Sequence, residues 1–357
     1  MQILLALAAI TMGQPGADVA RLEGKYLKNI RQLTHDFARA GEGYFSPDQK
    51  QIIFQAEEKG DNPFYQIFTM DLENDKFRRV SPGVGKTTCA YFHPTENKVI
   101  FASSHLDPDA KKHYTVERDL RDQERKTKKR RRYVWDFDPH MAIFEADLHT
   151  LKLKKLTDAA GYNAEGSYSP DGKHIVFCSN RTGPKNLELF IMDADGSNVR
   201  QLTRAPGCYN GGPFFSPDGK RVIFRSDRKK KDHLQLYVIN ADGSGEMALT
   251  DDLDWVFWAP YWHKDGKHIV FTGADHSKPG RPNYDLWWMP VPPHEKPANR
   301  SGANDAKTTK TRLTYHSGAD VLPVLSPDGR RLMWTSTRTP SHAAQLFIAD
   351  FVMPKNE

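Results

Sequence analysis

A chain of 357 residues with a mean hydropathy of −0.68 is too polar to be embedded in a membrane, and with 38% hydrophobic and 11% aromatic residues it is too apolar to be disordered. A formal net charge of +6 and a pI near 9.0 permit anionic partners without selecting one. The three cysteines, Cys89, Cys178 and Cys208, have neither metal-ligand nor redox-motif spacing and cannot all pair.

In chain order, residues 1–20 stand apart. The apolar run from Ile3 to Ile10 is followed by small and turn residues, with no Lys or Arg before Arg21. It reads as a secretory signal peptide, the alternative being a disordered leader; the run is too short to span a bilayer. The expected location is therefore periplasmic or secreted, with the cytoplasm as the alternative, and no transmembrane segment is predicted.

Next comes Asn29-Ile30-Arg31-Gln32-Leu33-Thr34, and then a turn unit that recurs along the whole chain. It reads Ser46-Pro47-Asp48-Gln49-Lys50, His93-Pro94-Thr95, Ser169-Pro170-Asp171-Gly172-Lys173, Ser216-Pro217-Asp218-Gly219-Lys220, His263-Lys264-Asp265-Gly266-Lys267 and Ser326-Pro327-Asp328-Gly329-Arg330. Proline presets φ, Asp bonds its own backbone and Gly accepts positive φ, so each copy predicts a hairpin corner. The spacings are 47, 76, 47, 47 and 63 residues, a period of 47 with insertions of 29 and 16. Within one period four strand-length runs recur, as in Gly166-Ser167-Tyr168, His174 to Phe177, Leu187 to Met192 and Val199 to Thr203. Four antiparallel strands per period of this length predict an all-β, six-bladed β-propeller over residues 29–351. The fourth-strand motif occurs first at residues 29–34, before the first blade, and the last blade lacks its own. The N-terminal strand is therefore expected to complete the last blade and close the ring.

These motifs, aromatic-Ser-Pro-Asp-Gly-Lys, Ile-Val-Phe, Leu-Phe-Ile-Met-Asp-Ala-Asp-Gly and Arg-Gln-Leu-Thr, resemble the TolB-type propeller repeat, the WD40-like PD40 repeat. The resemblance implies the propeller fold. It leaves function open, since such repeats occur in the periplasmic Tol-Pal component, in regulatory propellers of prolyl-oligopeptidase-like enzymes and in some polysaccharide lyases. The resemblance covers the propeller alone, and the extra N-terminal α/β domain of TolB itself is not expected.

The loops joining fourth strand to first, and second to third, form the variable face, where binding is expected. Four residues before the turn units stand Glu42, Cys89, Glu165, Gly212, Ala259 and Leu322, expected to open the innermost strands at the channel mouth. Glu42 and Glu165 with Tyr162, Tyr209 and Trp255 form the candidate binding set there. Two carboxylates in a channel can bind a cation or serve as acid and base, or simply bond exposed amides.

The first insertion, residues 107–135 in blade 2, carries eleven Lys or Arg against four Asp or Glu between Lys111 and Arg132. Pairs at i,i+4, Glu117/Arg121, Asp122/Lys126 and Glu124/Lys128, predict a short exposed helix over the variable face. Lys128, Lys129, Arg130, Arg131, Arg132, Tyr133 and Trp135 form a candidate surface for an acidic partner, against the plainer reading of a solvated insert. The second insertion, residues 292–310 in blade 5, reads as a flexible loop.

No catalytic set, metal set or cofactor is predicted. Gly-x-Ser-x-Gly is absent, and His105, His140, His276 and His316 share no ligand spacing on one element. The reading is a monomeric binding or scaffold module for a protein or anionic macromolecule, with nucleic acid the least favoured partner. The alternatives are a metal-assisted carbohydrate-active enzyme resembling an oligouronate lyase, or a regulatory propeller working with a separate hydrolase.

Overall fold

Each Ser-Pro-Asp unit folds into the same corner. The Oγ of Ser46, Ser169, Ser216 and Ser326 donates to the Asp two residues on at 2.6 Å. The same oxygen accepts the N–H of the residue opening the next strand at 2.9 to 3.0 Å. Gly172, Gly219, Gly266 and Gly329 sit at φ between 63 and 72°, where glycine carries no Cβ penalty.

The protein is described by a computed structural model over residues 16–60, 62–129, 131, 136–293 and 309–355. The corners join strands into six four-stranded antiparallel sheets. Blade 1 contains Arg39–Phe45, Gln51–Glu57, Gln66–Asp71 and Phe77–Arg79; blade 2 contains Thr87–Phe92, Lys98–Ser103, Ala142–Asp147 and Leu153–Lys155. Blade 3 contains Asn163–Tyr168, His174–Ser179, Glu188–Asp193 and Arg200–Gln201; blade 4 contains Asn210–Phe215, Arg221–Ser226, Gln235–Asn240 and Met247–Ala248. Blade 5 contains Trp255–Trp262, His268–Asp275, Asp285–Pro290 and Thr311–Arg312. Blade 6 contains Asp320–Leu325, Arg331–Ser336 and Gln345–Phe351, and takes Leu27–Gln32 as its outer strand.

The closure expected from the sequence is thus present, with Leu27 opposite Phe351 and Gln32 opposite Phe347. The pairing begins two residues earlier than the motif, at Leu27. Its chemistry is that of every other fourth strand. The Oγ1 of Thr157, Thr203, Thr250 and Thr314 accepts a third-strand N–H at 2.9 Å within each blade. Thr34 does the same for Leu346 across the two ends of the chain, at 2.9 Å.

The second strands carry the core. Phe54, Phe101, Phe177, Phe224, Phe271 and Trp334 are fully buried, each contributing about 2–3 kcal/mol by removal from water. Arginines after three of these strands fasten blade edges. Arg181, Arg228 and Arg338 donate from Nε to the preceding Ser and from Nη2 to Asn163, Asn210 and Asp320 at the start of the first strand, at 2.6 to 3.1 Å. They are structural clamps.

Two helices stand outside the blades: α1 (Gly16–Glu23) and α2 (Ala110–Thr127). The buried Glu23 anchors α1, accepting from Arg338 at 3.2 Å and from the Tyr315 N–H at 2.8 Å. Residues 16–20, the end of the expected leader, belong to α1, and residues 1–15 lie outside the described residues. Of the second insertion, residues 294–308 also lie outside them. No helix of the described residues is long and apolar enough to cross a membrane.

Candidate functional site

The innermost strands do not run straight. Glu42, Cys89, Glu165, Gly212, Ala259 and Leu322 all have φ between 47 and 57°. Each sits where the register of the first strand against the second shifts. These residues therefore lie inside the strands, at a β-bulge repeated in every blade, and not at the strand openings where the sequence reading placed them. The bulge re-aims the backbone toward the channel. Five of the six are not glycine, a left-handed conformation that costs about 1–2 kcal/mol each.

Neighbouring blades answer these bulges. The Glu42 N–H donates to Thr335 Oγ1 at 3.0 Å, the Leu322 N–H to Thr272 Oγ1 at 3.1 Å, and the Gly212 N–H to Glu165 Oε2 at 2.6 Å. Two residues farther along, Tyr44, Tyr91, Phe214 and Tyr261 pack with ring centroids 5.1 to 6.2 Å apart and close the channel. Tyr91 and Tyr261 also share a 3.2 Å hydrogen bond.

Above this layer lies a cavity of about 1020 Å³ opening among the variable-face loops. Glu42, Glu165, Tyr162 and Tyr209 all line it. Glu165 accepts from the Tyr162 hydroxyl at 3.4 Å, from the Tyr209 hydroxyl at 3.1 Å and from Arg225 Nη2 at 2.9 Å, besides the Gly212 amide. Arg225 in turn donates to the Tyr209 hydroxyl from Nη2 at 2.7 Å and from Nε at 3.1 Å. Glu165 and Arg225 are each 7% exposed, so this is a buried pair with its lone pairs occupied. Burial pushes the Tyr162 and Tyr209 hydroxyls well above their usual value, and Tyr209 reaches this despite Arg225.

Glu42 differs. Its carboxyl accepts from the Tyr44 hydroxyl at 3.3 Å, and burial raises its pKa to about 7 against the lowering effect of Cys89. Burial and then the Glu42 charge push the Cys89 thiol well up, so it is not an activated nucleophile.

Trp255 does not line the cavity. It stacks on Phe257 at 5.6 Å and meets Trp287 edge-on at 5.4 Å within the blade 5 core, while Trp258 of the same strand takes the lining position. Alternation along the strand sends the two tryptophans to different neighbours.

The sequence reading missed Arg225, although a signal exists. After the second-strand aromatic the blades read Gln55, Ala102, Cys178, Arg225, Thr272 and Thr335, so Arg225 is the lone charge in a register that faces the channel. Around the mouth stand Arg39, Lys86 and Lys231, each paired with a carboxylate: Glu57 at 2.7 Å, Asp136 at 2.5 Å and Asp227 at 2.9 Å. Phe137 roofs Tyr162 and Tyr209, with ring centroids 5.4 and 6.5 Å away.

Helix α2 is docked beside this mouth. Arg121 reaches Glu57 at 2.6 Å and the Pro63 carbonyl at 2.7 Å, and the Gly85 N–H donates to the Tyr114 hydroxyl at 2.8 Å. Of the expected i,i+4 pairs, Glu117/Arg121 forms at 2.7 Å; Asp122 takes Arg125 and Glu124 takes Arg131. Arg131 also bonds Glu117 at 3.0 Å, so part of the basic run is neutralised within the insertion. Lys128 and Lys129 are exposed; Arg130, Arg132, Tyr133 and Trp135 lie outside the described residues.

The variable-face histidines do not converge. His105 bonds Ser103 at 2.9 Å, His140 lies 3.6 Å from Asp107, His276 bonds the Tyr284 hydroxyl at 3.0 Å and His316 accepts the Gly318 N–H at 2.8 Å. Among the described residues no histidine lines the cavity.

Comparison with known proteins agrees with this architecture. Residues 127–281 match the TolB beta propeller domain family. Among solved structures, the chain is similar to a putative TolB from Agrobacterium tumefaciens, at 18% identity over 88% of this chain and 91% of that one, with a TM-score of 0.56. It is also similar to an oligogalacturonate lyase from Vibrio parahaemolyticus, at 17% identity over 90% and 93% of the two chains, with a TM-score of 0.54. At these identities the likeness is one of fold. A stretch of 61 residues is 36% identical to an uncharacterized protein of Agrobacterium fabrum and spans 17% of this chain and 20% of that protein. The match thus spans about a fifth of that curated relative's length. The TolB-like propeller read from the turn units holds.

Proposed function

We propose, with the TolB-like propeller fold as premise, that the protein is an exported, non-catalytic binding module that receives a protein segment or small ligand in the variable-face cavity. The observation that carries the reading is the Glu165–Arg225–Tyr209 network. A carboxylate that already accepts from two tyrosines, an arginine and a backbone amide has no capacity left for proton transfer, but it holds the cavity wall rigid. Tyr65, Trp258 and Phe137 add aromatic contact area of the kind that anchors ligands. Lys128 and Lys129, exposed just after α2, supply positive charge for an acidic region of the partner. Export rests on the apolar run from Ile3 to Ile10.

Glu42 favours a second reading. A carboxyl with a pKa of about 7 in a large cavity suits a general acid or base, the requirement of a carbohydrate-active enzyme. One experiment separates the two. The full chain and its Tyr65→Ala/Trp258→Ala variant are screened by ligand-observed NMR against oligogalacturonides and against acidic and aromatic peptides, and every ligand is then analysed for conversion. A ligand held by the parent, released by the variant and recovered intact supports the binding module. Conversion that Glu42→Gln abolishes supports the enzyme and overturns the first reading.

A further inference from the structure

On the opposite face, two of the six turn units have exchanged their serine for histidine, and in one of them the chemistry has changed further. In blade 5 the serine is replaced by His263, and the second strand opens with His268. Without a serine hydroxyl, Asp265 assumes its work: Oδ1 accepts the Lys267 N–H at 2.8 Å and the His268 N–H at 3.1 Å. The other oxygen, Oδ2, then faces two imidazoles, His268 Nδ1 at 2.7 Å and His263 Nδ1 at 3.1 Å. Among the described residues this is the one group of three or more His, Cys, Asp or Glu side chains close enough together to share a metal ion.

Blade 2 supplies the contrast. There His93 also replaces the serine, but Thr95 stands where the aspartate would be. His93 Nδ1 accepts the Thr95 and Glu96 N–H groups at 3.2 and 2.9 Å, and the ring approaches a carboxylate only through Nε2, 3.9 Å from Glu96. In blade 5 the corresponding Nδ1 has the Asp265 N–H at 3.4 Å and the carboxylate oxygen at 3.1 Å. A histidine at this corner is thus compatible with the fold on its own; among the six turn corners, two imidazoles converge on one carboxylate oxygen in blade 5 alone.

We propose that His263, Asp265 and His268 bind a divalent transition metal of the zinc class, with a fourth position open to solvent. Two imidazole nitrogens and a carboxylate oxygen are a zinc-type donor set. Tetrahedral bonds of about 2.0–2.1 Å place ligand atoms about 3.3 Å apart; the carboxylate–imidazole spacings are 2.7 and 3.1 Å, and all three ligand atoms lie within 4.8 Å of one another. The rings are fixed in advance: His268 stacks on Trp288 at 4.8 Å and 14°, and His263 meets the same indole edge-on at 5.3 Å. Both histidines are buried, at 6% and 8% exposure, while Asp265 reaches the surface and leaves an entry path. Metal binding here releases any protons shared between the imidazoles and the carboxylate. The site lies at the turn face, away from the cavity, and does not depend on the function proposed for the cavity.

The test uses the full chain stripped with a chelator and titrated with zinc chloride against a chromogenic competitor. His263→Ser and His268→Gln restore residues found at the matching places, Ser326 in blade 6 and Gln51 in blade 1, so the turn keeps a hydrogen-bonding pattern the fold already uses. The expected result is one zinc per chain, with affinity at least about a hundredfold weaker in either variant, and a zinc-dependent rise in Tm for the parent that both variants lack. No stoichiometric binding by the parent, or equal binding by the parent and the two variants, overturns the proposal.

Discussion

Replacing Arg225 by Met tests whether the cavity wall is held by its buried ion pair. Methionine keeps much of the apolar volume against Tyr209 and Trp258, over whose rings the guanidinium carbon lies at 5.5 and 5.7 Å. It removes the 2.9 Å bond to Glu165 and both donations to Tyr209. Breaking a buried pair by deleting one partner typically costs about 3–5 kcal/mol, because the other charge stays buried. Here the Tyr162 and Tyr209 hydroxyls and the Gly212 amide still reach Glu165, which places the expected loss near the lower end, about 3 kcal/mol. Replacing both partners, as in Glu165→Leu/Arg225→Met, removes the stranded charge. The double variant is expected to be more stable than Arg225→Met alone. The assay is equilibrium urea unfolding followed by circular dichroism and tryptophan fluorescence, with coincident transitions required before free energies are compared. A loss below about 1 kcal/mol for Arg225→Met, or strictly additive effects in the double variant, would refute the reasoning.

Stability should also depend on Glu42 in a defined direction. Its folded pKa of about 7 lies above the ordinary 4.5, so its contribution is full below about pH 4.5 and is lost as pH rises through 7. The loss is at most about 3 kcal/mol. Glu42→Gln should therefore gain stability relative to the parent between pH 5 and pH 8; because burial also raises Asp285 to about 7, the parent-minus-variant difference is the quantity to follow, and a difference flat with pH counts against the assignment. Thr34→Val leaves the buried Leu346 N–H without its acceptor across the ring closure and should cost about 1–3 kcal/mol by thermal unfolding, comparable to Thr203→Val within blade 3. An unchanged Tm for Thr34→Val would mean that this bond does not hold the ring.

Much of the architecture was legible because turn chemistry is local. Ser-Pro-Asp-Gly dictates a corner from four adjacent residues, and the displaced Asn29 to Thr34 motif located the closure because its Leu-Thr pair matches four others along the chain. The repeated bulge was not legible, since glycine marks it in blade 4 alone and the conformation is otherwise imposed by the channel and the neighbouring blade on Glu, Cys, Ala and Leu. At the site, Glu165 and its tyrosines were found by their place in the repeat. Their partner was missed because Arg225 comes from the next blade, 60 residues away, and was not compared with Gln55, Cys178 and Thr335 in its own register. Trp255 was misplaced because its loop position precedes a longer first strand, Trp255–Trp262, which draws it into the blade. The positive run after α2 looked free in sequence; fold-back onto Glu117 and Glu124 spends Arg131, a contact that spacing along a helix does not reveal.

The central claim, that the variable-face cavity is the binding surface, is tested most directly by site-specific photo-crosslinking in producing cells. A benzophenone amino acid is placed at Tyr65 on the cavity rim or, as comparison, at Lys173 on the turn face. Discrete adducts from position 65, lost when Trp258 is also replaced by Ala, and none from position 173 are the predicted result. Adducts from the turn face alone, or equally from both faces, would contradict it.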